Sequence, residues 1–173
     1  MARSSSTPEV VCDAGPLIHL DELGCLDLLS DFIVLIPDAV WQEVLLHRAT
    51  IPEREDPHWT RLPVPPPDEA GFMGLARALT LGAGEQAALA AVRAHPGAML
   101  LTDDAAARLA AEQLGMRVHG TIGILLRAIR RGLRTPAEVL ALLRAIPQRS
   151  TLHIRADLLN EIIARVQQEA GLG

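Results

Sequence analysis

The sequence predicts an α/β protein in which a parallel sheet is covered by helices on both faces. Short apolar segments of strand length, such as "FIVLIP" and "AMLLT", alternate along the chain with longer segments of helical periodicity. Strands separated by helices are expected to run parallel, because a parallel connection needs a long crossover whereas an antiparallel pair needs only a turn. With 173 residues and 49% hydrophobic content, the chain suits one domain with a single core.

The first half of the chain contains two predicted strands and a proline-rich connection. Residues 1–8 are expected to be a disordered lead, followed by a short strand at 9–13 and helical pieces at 16–30, where leucines recur every three residues. "FIVLIP" is the second strand, and Pro37 ends it and permits the helix "DAVWQEVLLHRA" to begin, because the amide that proline lacks is not needed there. Residues 50–67, which include "RLPVPPP", are predicted to form a loop or a short edge strand.

The second half alternates more regularly. Helices are predicted at "LGAGEQAALAAVRAH" and "DDAAARLAAEQLG", with strands at "AMLLT" and "MRVHG". "TIGILLRAIRRG" and "TPAEVLALLRAI" are further helices, and in the second of these Thr135, Pro136 and Glu138 have the spacing of a capping box with proline at the first helical position. A last helix is predicted at about residues 154–169.

The charge composition excludes several classes of protein. All 16 basic residues are arginines, so neither a P-loop lysine nor a lysine Schiff base is available. The net charge of −5 argues against a general nucleic-acid binder held by bulk charge. Residues 120–149 nevertheless contain 6 arginines against a single glutamate, which indicates either a local phosphate-binding patch or an ordinary solvated helix face.

The cysteines and the hydropathy indicate where the protein works. Cys12 and Cys25 lie in apolar surroundings without disulfide or metal-binding spacing, so we expect inert packing. No apolar run approaches the roughly 18 to 20 residues of a membrane span. The start "MARSSSTPE" lacks the apolar core of a signal peptide. We therefore expect a cytoplasmic protein with no membrane association.

Acidic residues stand where predicted strands end and the following helices begin. Asp13 follows the first strand, Asp103 and Asp104 follow "AMLLT", and Glu43 and Glu85 lie in helices that begin at the same edge of the sheet. Carboxylates gathered there would repel one another unless a cation neutralised them, and oxygen-only ligation favours magnesium or manganese. Each residue also has an ordinary structural explanation, since Asp103 or Asp104 is suited to cap a helix and Glu85 to stabilise a helix dipole.

Four segments, in order, carry a resemblance to a known family: "VVCDAGPLIHL", "VLIPDAVWQEVL", "GAGEQAALAAV" and "LLTDDAAARLAAEQLGMRVHGTIGILLRAIRRG". They resemble the PIN domain family, and specifically its branch of predicted nucleic-acid-binding proteins related to VapC-type toxins. The resemblance covers about residues 9–147, a PIN-like domain, and leaves 148–173 as a C-terminal helical extension packed on it. It implies a three-layer α/β/α sandwich with a parallel central sheet, and metal-dependent ribonuclease activity.

The resemblance also implies the roles of the acidic residues. The catalytic positions of the family fall on Asp13, Glu43, Glu85 and Asp104. Mg²⁺ or Mn²⁺ would be bound by Asp13, Glu85 and either Asp104 or Asp103. Asp104 is preferred because the family usually places this aspartate two residues after a threonine, here Thr102, which would support the site together with Thr121. Many PIN domains have a further carboxylate where this sequence has Thr121, which leaves open a one-metal site, reduced activity or none.

RNA recognition is expected to depend on arginines. Two Phe, two Trp and no Tyr make an aromatic stacking platform improbable. Arg108 and Arg48 are predicted to lie near the site, and Arg127 and Arg131 to form its rim, although Arg108 also suits an ordinary charge pair on a helix surface.

The functional hypotheses come from three classes. The resemblance implies an RNA-cleaving toxin of a toxin-antitoxin pair, with a small antitoxin that occludes the site and a homodimeric state. The alternative is a catalytically weak or inactive PIN-like module that binds nucleic acid or protein. A nucleotide-binding domain is disfavoured, because no glycine-rich loop follows the first strand.

Overall fold

A computed structural model describes residues 7–51, 56–63 and 70–171 of the chain. Its centre is a sheet whose strands are β1 (Glu9–Cys12), β2 (Ile33–Pro37), β3 (Trp59–Leu62), β4 (Met99–Leu101) and β5 (Val118–His119). The 5 strands are ordered β3-β2-β1-β4-β5, and every neighbouring pair is parallel. The fold is therefore the predicted three-layer α/β/α sandwich around a parallel sheet.

Helices connect the strands and extend the chain at its C-terminus. They are α1 (Ala14–Glu22), a 3-10 helix (Leu26–Asp31), α2 (Asp38–His47), α3 (Ala70–Ala78), α4 (Ala83–Ala94), α5 (Ala105–Gln113), α6 (Thr121–Arg130), α7 (Pro136–Arg149) and α8 (Ala156–Glu169). The capping box predicted for α7 is present, with Thr135 and Glu138 each bonded to the backbone of the other. None of the helices in these described ranges is long and apolar enough to cross a bilayer.

The strand order reverses between β1 and β4, and this reversal positions the candidate site. The chain first adds β2 and β3 on one side of β1, then returns to place β4 and β5 on the other side. In open parallel sheets a crevice forms beyond the carboxyl ends of the strands at such a point. Asp13 follows β1 directly, and Thr102 and Asp103 follow β4, so all three lie at this crevice.

Some elements differ from the sequence-based expectation. The helix expected from residue 16 begins at Ala14 and ends at Glu22, and Gly24, with a φ of +72°, separates it from the 3-10 helix. The proline-rich connection contains β3 at the sheet edge, which confirms the edge-strand alternative for those residues. The rest of that segment at 52–55 and 64–67, like residues 1–6 of the predicted lead, lies outside the described residues. No element was predicted where α3 lies.

The core sits between the sheet and its helices and continues into the C-terminal helices. Val10, Val11 and Leu100 of the central strands are fully buried, and α7 packs against both α6 and α8. Leu159 and Val166 of α8 are buried as well. The domain boundary expected after residue 147 falls inside α7, which continues to Arg149.

Candidate active site

Asp13 is buried at the carboxyl end of β1, with 5% of its surface exposed. It caps α1, because its Oδ1 accepts a hydrogen bond from the Ala14 amide at 2.9 Å, while its Oδ2 accepts one from Thr102 Oγ1 at 2.7 Å. Burial raises the pKa of Asp13 to about 6, the two hydrogen bonds oppose this rise, and the charges of Glu85 and Glu43 add to it. The two hydrogen bonds thus hold the carboxylate in one position, while burial and the neighbouring acids disfavour its charged form.

Glu43 and Glu85 reach the same crevice from α2 and α4, which pack against each other. A Cβ placed on Gly84 would lie 2.7 Å from Glu43 Oε2 and 3.7 Å from Asp13 Oδ1, so both carboxylates border the glycine in the first turn of α4. Burial raises the pKa of Glu43, the charge of Glu85 raises it further, and His47 opposes the rise. Asp13, Glu43 and Glu85 therefore form one group of interacting carboxylates, called the acidic cluster below.

Asp103 and Asp104 have different partners although they are neighbours in the sequence. Asp104 caps α5, since its Oδ1 accepts the Ala107 amide at 2.7 Å. Asp103 turns toward α6 and α1: its Oδ1 accepts the Thr121 amide at 2.8 Å, and its Oδ2 lies 2.5 Å from Thr121 Oγ1 and 2.8 Å from His19 Nδ1. Asp104 was predicted to be the preferred metal ligand, with helix capping as the alternative. In the structure it caps α5.

The two threonines that were predicted to support the site each contact one of its aspartates, in a different way. Both are fully buried. Thr102 links β1 to β4, because its hydroxyl donates to Asp13 and accepts the Asp104 amide at 3.2 Å. Thr121 opens α6 at the position where a further carboxylate was absent from the sequence, and Asp103 binds both its amide and its hydroxyl. The start of α6 is thus attached to the end of β4.

The acidic cluster has the ligand chemistry that a divalent cation requires, but it does not provide a complete set of protein ligands. Asp13 and Glu43 are hard oxygen donors with raised pKa values, and bound Mg²⁺ or Mn²⁺ would stabilise their charged form. Within the described parts of the chain, however, no 3 carboxylate, imidazole or thiol groups converge closely enough to bind a metal ion by themselves. Mg²⁺ commonly takes one or two carboxylates and completes its shell with water or phosphate oxygens, so the residues present fit that mode of binding.

The predicted RNA-binding arginines lie in different places. Arg108 is at the crevice, where its Nη2 donates to the Thr102 carbonyl at 3.2 Å. Arg48, expected near the site, instead follows the end of α2 and pairs with Asp21 near the far end of α1. Arg127 and Arg131 pair with Asp31, just before β2 and so toward the opposite end of the strands. Of these four arginines, the structure brings only Arg108 to the crevice, beside Thr102.

Two histidines with defined surroundings were not singled out in the sequence. His19 contacts Asp103, and His119 ends β5 beside several arginines. His19 is 84 residues from Asp103 in the chain, so no local pattern relates the two. For His119, the cue was its place at the end of the predicted strand "MRVHG", at the same sheet edge as Asp13.

Comparison with known proteins agrees with this geometry. A family model described as a PIN domain matches residues 9–168. The match begins at β1 and ends within α8, so it includes the acidic cluster and both helices beyond α6. No curated protein has a significant match to the chain.

Proposed function

The chain belongs to the PIN domain family, a nuclease-type fold, and from this we propose that it is a divalent-metal-dependent ribonuclease that hydrolyses RNA phosphodiester bonds. The observation that carries the proposal is the acidic cluster at the reversal of strand order. Burial and mutual repulsion raise the pKa of Asp13 and Glu43, which costs stability in the absence of a cation. Perturbed carboxylates in a crevice are typical of functional sites.

The proposed mechanism assigns a task to each residue of the crevice. Asp13 and Glu43 would hold Mg²⁺ or Mn²⁺, with Glu85 binding directly or through water. The ion, when bound, supplies positive charge and lowers the pKa of a water molecule. Thr102 and the Ala14 amide keep the Asp13 carboxylate in one orientation. Arg108 of α5, whose guanidinium contacts the Thr102 carbonyl just after β4, would neutralise a substrate phosphate.

The proposal extends to a cellular role. The four segments that resemble the VapC-type branch support a toxin of a toxin-antitoxin pair, active as a homodimer and occluded by a small antitoxin. Cleavage of cellular RNA would then be the toxic activity, and the antitoxin would act by covering the crevice.

A noncatalytic PIN-like binding module is the second candidate, and one observation favours it. Thr121 stands where many PIN domains have a further carboxylate, and it occupies both oxygens of Asp103. A site with fewer free carboxylates would hold a cation more weakly. The two candidates predict different results in a single cleavage assay.

The test is cleavage of a mixed RNA substrate by purified protein with Mg²⁺ or Mn²⁺, with EDTA and with Asp13→Asn in parallel. We expect EDTA to abolish cleavage and Asp13→Asn to reduce it by at least about 100-fold, because loss of a ligand is more severe than loss of a supporting group. Absence of cleavage by folded, antitoxin-free protein in either metal would contradict the proposal and favour the binding module.

The same assay separates the two adjacent aspartates. Asp104→Asn is expected to keep most of the activity, since its carboxylate caps α5 and asparagine is also a good cap. Asp103→Asn should lose more, because it weakens the attachment of α6 beside the crevice. The reverse order of activities would assign the metal ligand to Asp104, as the spacing after Thr102 suggested.

A further inference from the structure

The arginines of the chain fall into two groups by their partners. One group is neutralised by carboxylates: Asp21 pairs with Arg48, Asp27 with Arg134, and Asp31 with both Arg127 and Arg131. Around β5, by contrast, Arg108, Arg117 and Arg130 have no carboxylate partner among the residues that the structure describes. Arg108 and Arg117 donate to backbone carbonyls, of Thr102 and Gly97 respectively. None of the three forms an ion pair with a described carboxylate, so their guanidinium groups can bind a ligand, although Arg108 and the Asp103 carboxylate both lie beside Gly120.

These three arginines surround His119 on the exposed edge of the sheet. β5 is an edge strand, and His119 is its last residue. A Cβ on Gly120, the next residue, would lie 3.0 Å from Arg108 Nη2. Arg117 comes two residues before His119 and so projects to the same side of the extended chain. Arg130, on α6, lines a small pocket together with His119 and Arg127.

The geometry defines a strip that begins at the crevice and runs back along the sheet edge. Its first member, Arg108, touches the Thr102 carbonyl at the end of β4, and its last member, Arg130, ends α6. α6 starts at the carboxyl end of the strands, so Arg130 lies about 14 Å further along at the helical rise per residue. A chain bound along the strip would therefore continue into the acidic cluster.

The electrostatic surroundings of His119 agree with this arrangement. Partial burial lowers the pKa of His119, and the charges of Arg130, Arg108, Arg127 and Arg117 lower it further. All four guanidinium groups therefore lie close enough to His119 to lower its pKa. Of these, only Arg127 is neutralised within the described chain, by Asp31.

We propose that Arg108, Arg117, Arg130 and His119 form a phosphate-binding strip that holds the backbone of single-stranded RNA and directs it into the acidic cluster. The inference rests on the proposed function and adds the path of the substrate. Phe32, beneath Arg127, is buried and unable to stack on a base. The strip therefore binds backbone phosphates without reading sequence.

The strip is tested by binding rather than by cleavage. A fluorescently labelled single-stranded RNA is titrated with protein in EDTA at several salt concentrations, and anisotropy gives the dissociation constant. The test variant is Arg117→Gln/Arg130→Gln, and the matched control is Arg144→Gln/Arg155→Gln, which removes two exposed arginines that are not members of the strip. Arg117→Lys/Arg130→Lys keeps the charge and guards against a folding defect.

The expected result is a loss of roughly tenfold in affinity for the Gln test variant, with little change in the control or the Lys variant. The slope of log affinity against log salt should fall by roughly 0.7 for each phosphate that the variant no longer neutralises. Equal affinities in the test and control variants, or no RNA binding by the parent protein, would overturn the strip. Strip-dependent binding without cleavage in Mg²⁺ or Mn²⁺ would leave the strip standing and refute the ribonuclease.

Discussion

At the scale of one residue, the position of Asp13 lowers the stability of the metal-free protein. Its carboxylate is almost completely buried and lies near two other acids, and within the described parts of the chain only Thr102 and the Ala14 amide donate hydrogen bonds to it. A buried charge with so little compensation destabilises the folded state, and a bound cation would reverse that effect. The free energy of unfolding should therefore depend on whether Asp13 is protonated, charged or bound to a cation.

The first prediction concerns the pH dependence of the metal-free protein. Because folding raises the pKa of Asp13 from 3.8 to about 6, the folded state binds more protons than the unfolded state between these values. The contribution of Asp13 to the unfolding free energy should therefore rise as the pH falls from above about 6 toward 4. The free energy of unfolding, measured with urea in EDTA, should therefore increase by about 1–2 kcal/mol when the pH is lowered from ~7.5 to ~5.

Asp13→Asn provides the control for that experiment, because asparagine does not titrate. The difference between the parent and the variant isolates Asp13 from the other acids. Identical pH dependence of the two proteins would show that Asp13 has an ordinary pKa. Saturating Mn²⁺ should also abolish the difference, since it would hold Asp13 in its charged form.

At the scale of elements, the crevice depends on how α2 and α4 approach each other. Gly84 stands in the first turn of α4, where a side chain would meet Glu43 and Val40 of α2. Glu43 Oε2 occupies the space beside Gly84 that a Cβ would fill. The glycine therefore allows a carboxylate of one helix to contact the backbone of the other.

Gly84→Ala should reduce RNA cleavage without lowering the free energy of unfolding. The clash falls on the mobile end of Glu43, and alanine favours a helix over glycine by about 1 kcal/mol, so the unfolding free energy should hold or rise. Displacement of Glu43 should nevertheless reduce cleavage by roughly tenfold or more. Gly74→Ala in α3 is the matched control, since nothing lies within 4 Å of its Cβ position, and it should leave cleavage unchanged. Equal cleavage activity of Gly84→Ala and Gly74→Ala would contradict a role for Glu43 in the site.

At the scale of the whole molecule, the C-terminal helices are continuous with the domain. α8 packs on α7, which packs on α6, the helix that Thr121 attaches to the crevice. The PIN domain match extends through most of α8. The last helix should therefore unfold together with the sheet.

Adjacent leucines of α8 test this cooperation. Leu159 is 5% exposed and Leu158 is 40% exposed. Leu159→Ala should reduce the unfolding free energy by about 2–4 kcal/mol through the reduced burial and the cavity, and Leu158→Ala by less than about 1 kcal/mol. Urea unfolding monitored by circular dichroism should remain a single transition. A separate early transition, or equal effects of the two variants, would indicate an independent appendage.

The sequence by itself determined the fold class and the sheet edge at which the candidate site lies. Hydrophobic periodicity is local, so apolar segments such as "FIVLIP" and the capping box of α7 were recognisable without knowledge of distant contacts. The position of Asp13 at the end of an apolar segment was equally visible. Its closeness to Glu43 and Glu85 followed from the topology of parallel sheets.

Only the tertiary structure decided where side chains point and which charges are neutralised. The orientation of Asp103 depends on His19 and Thr121, and Arg127 is neutralised by Asp31, 96 residues away. The sequence identified an arginine-rich segment but not which of its arginines stay free, because ion pairs form between elements that only folding brings together. The same reason explains why β3 was uncertain: an exposed edge strand lacks the apolar pattern of a buried one, and its pairing with β2 comes from the assembled sheet.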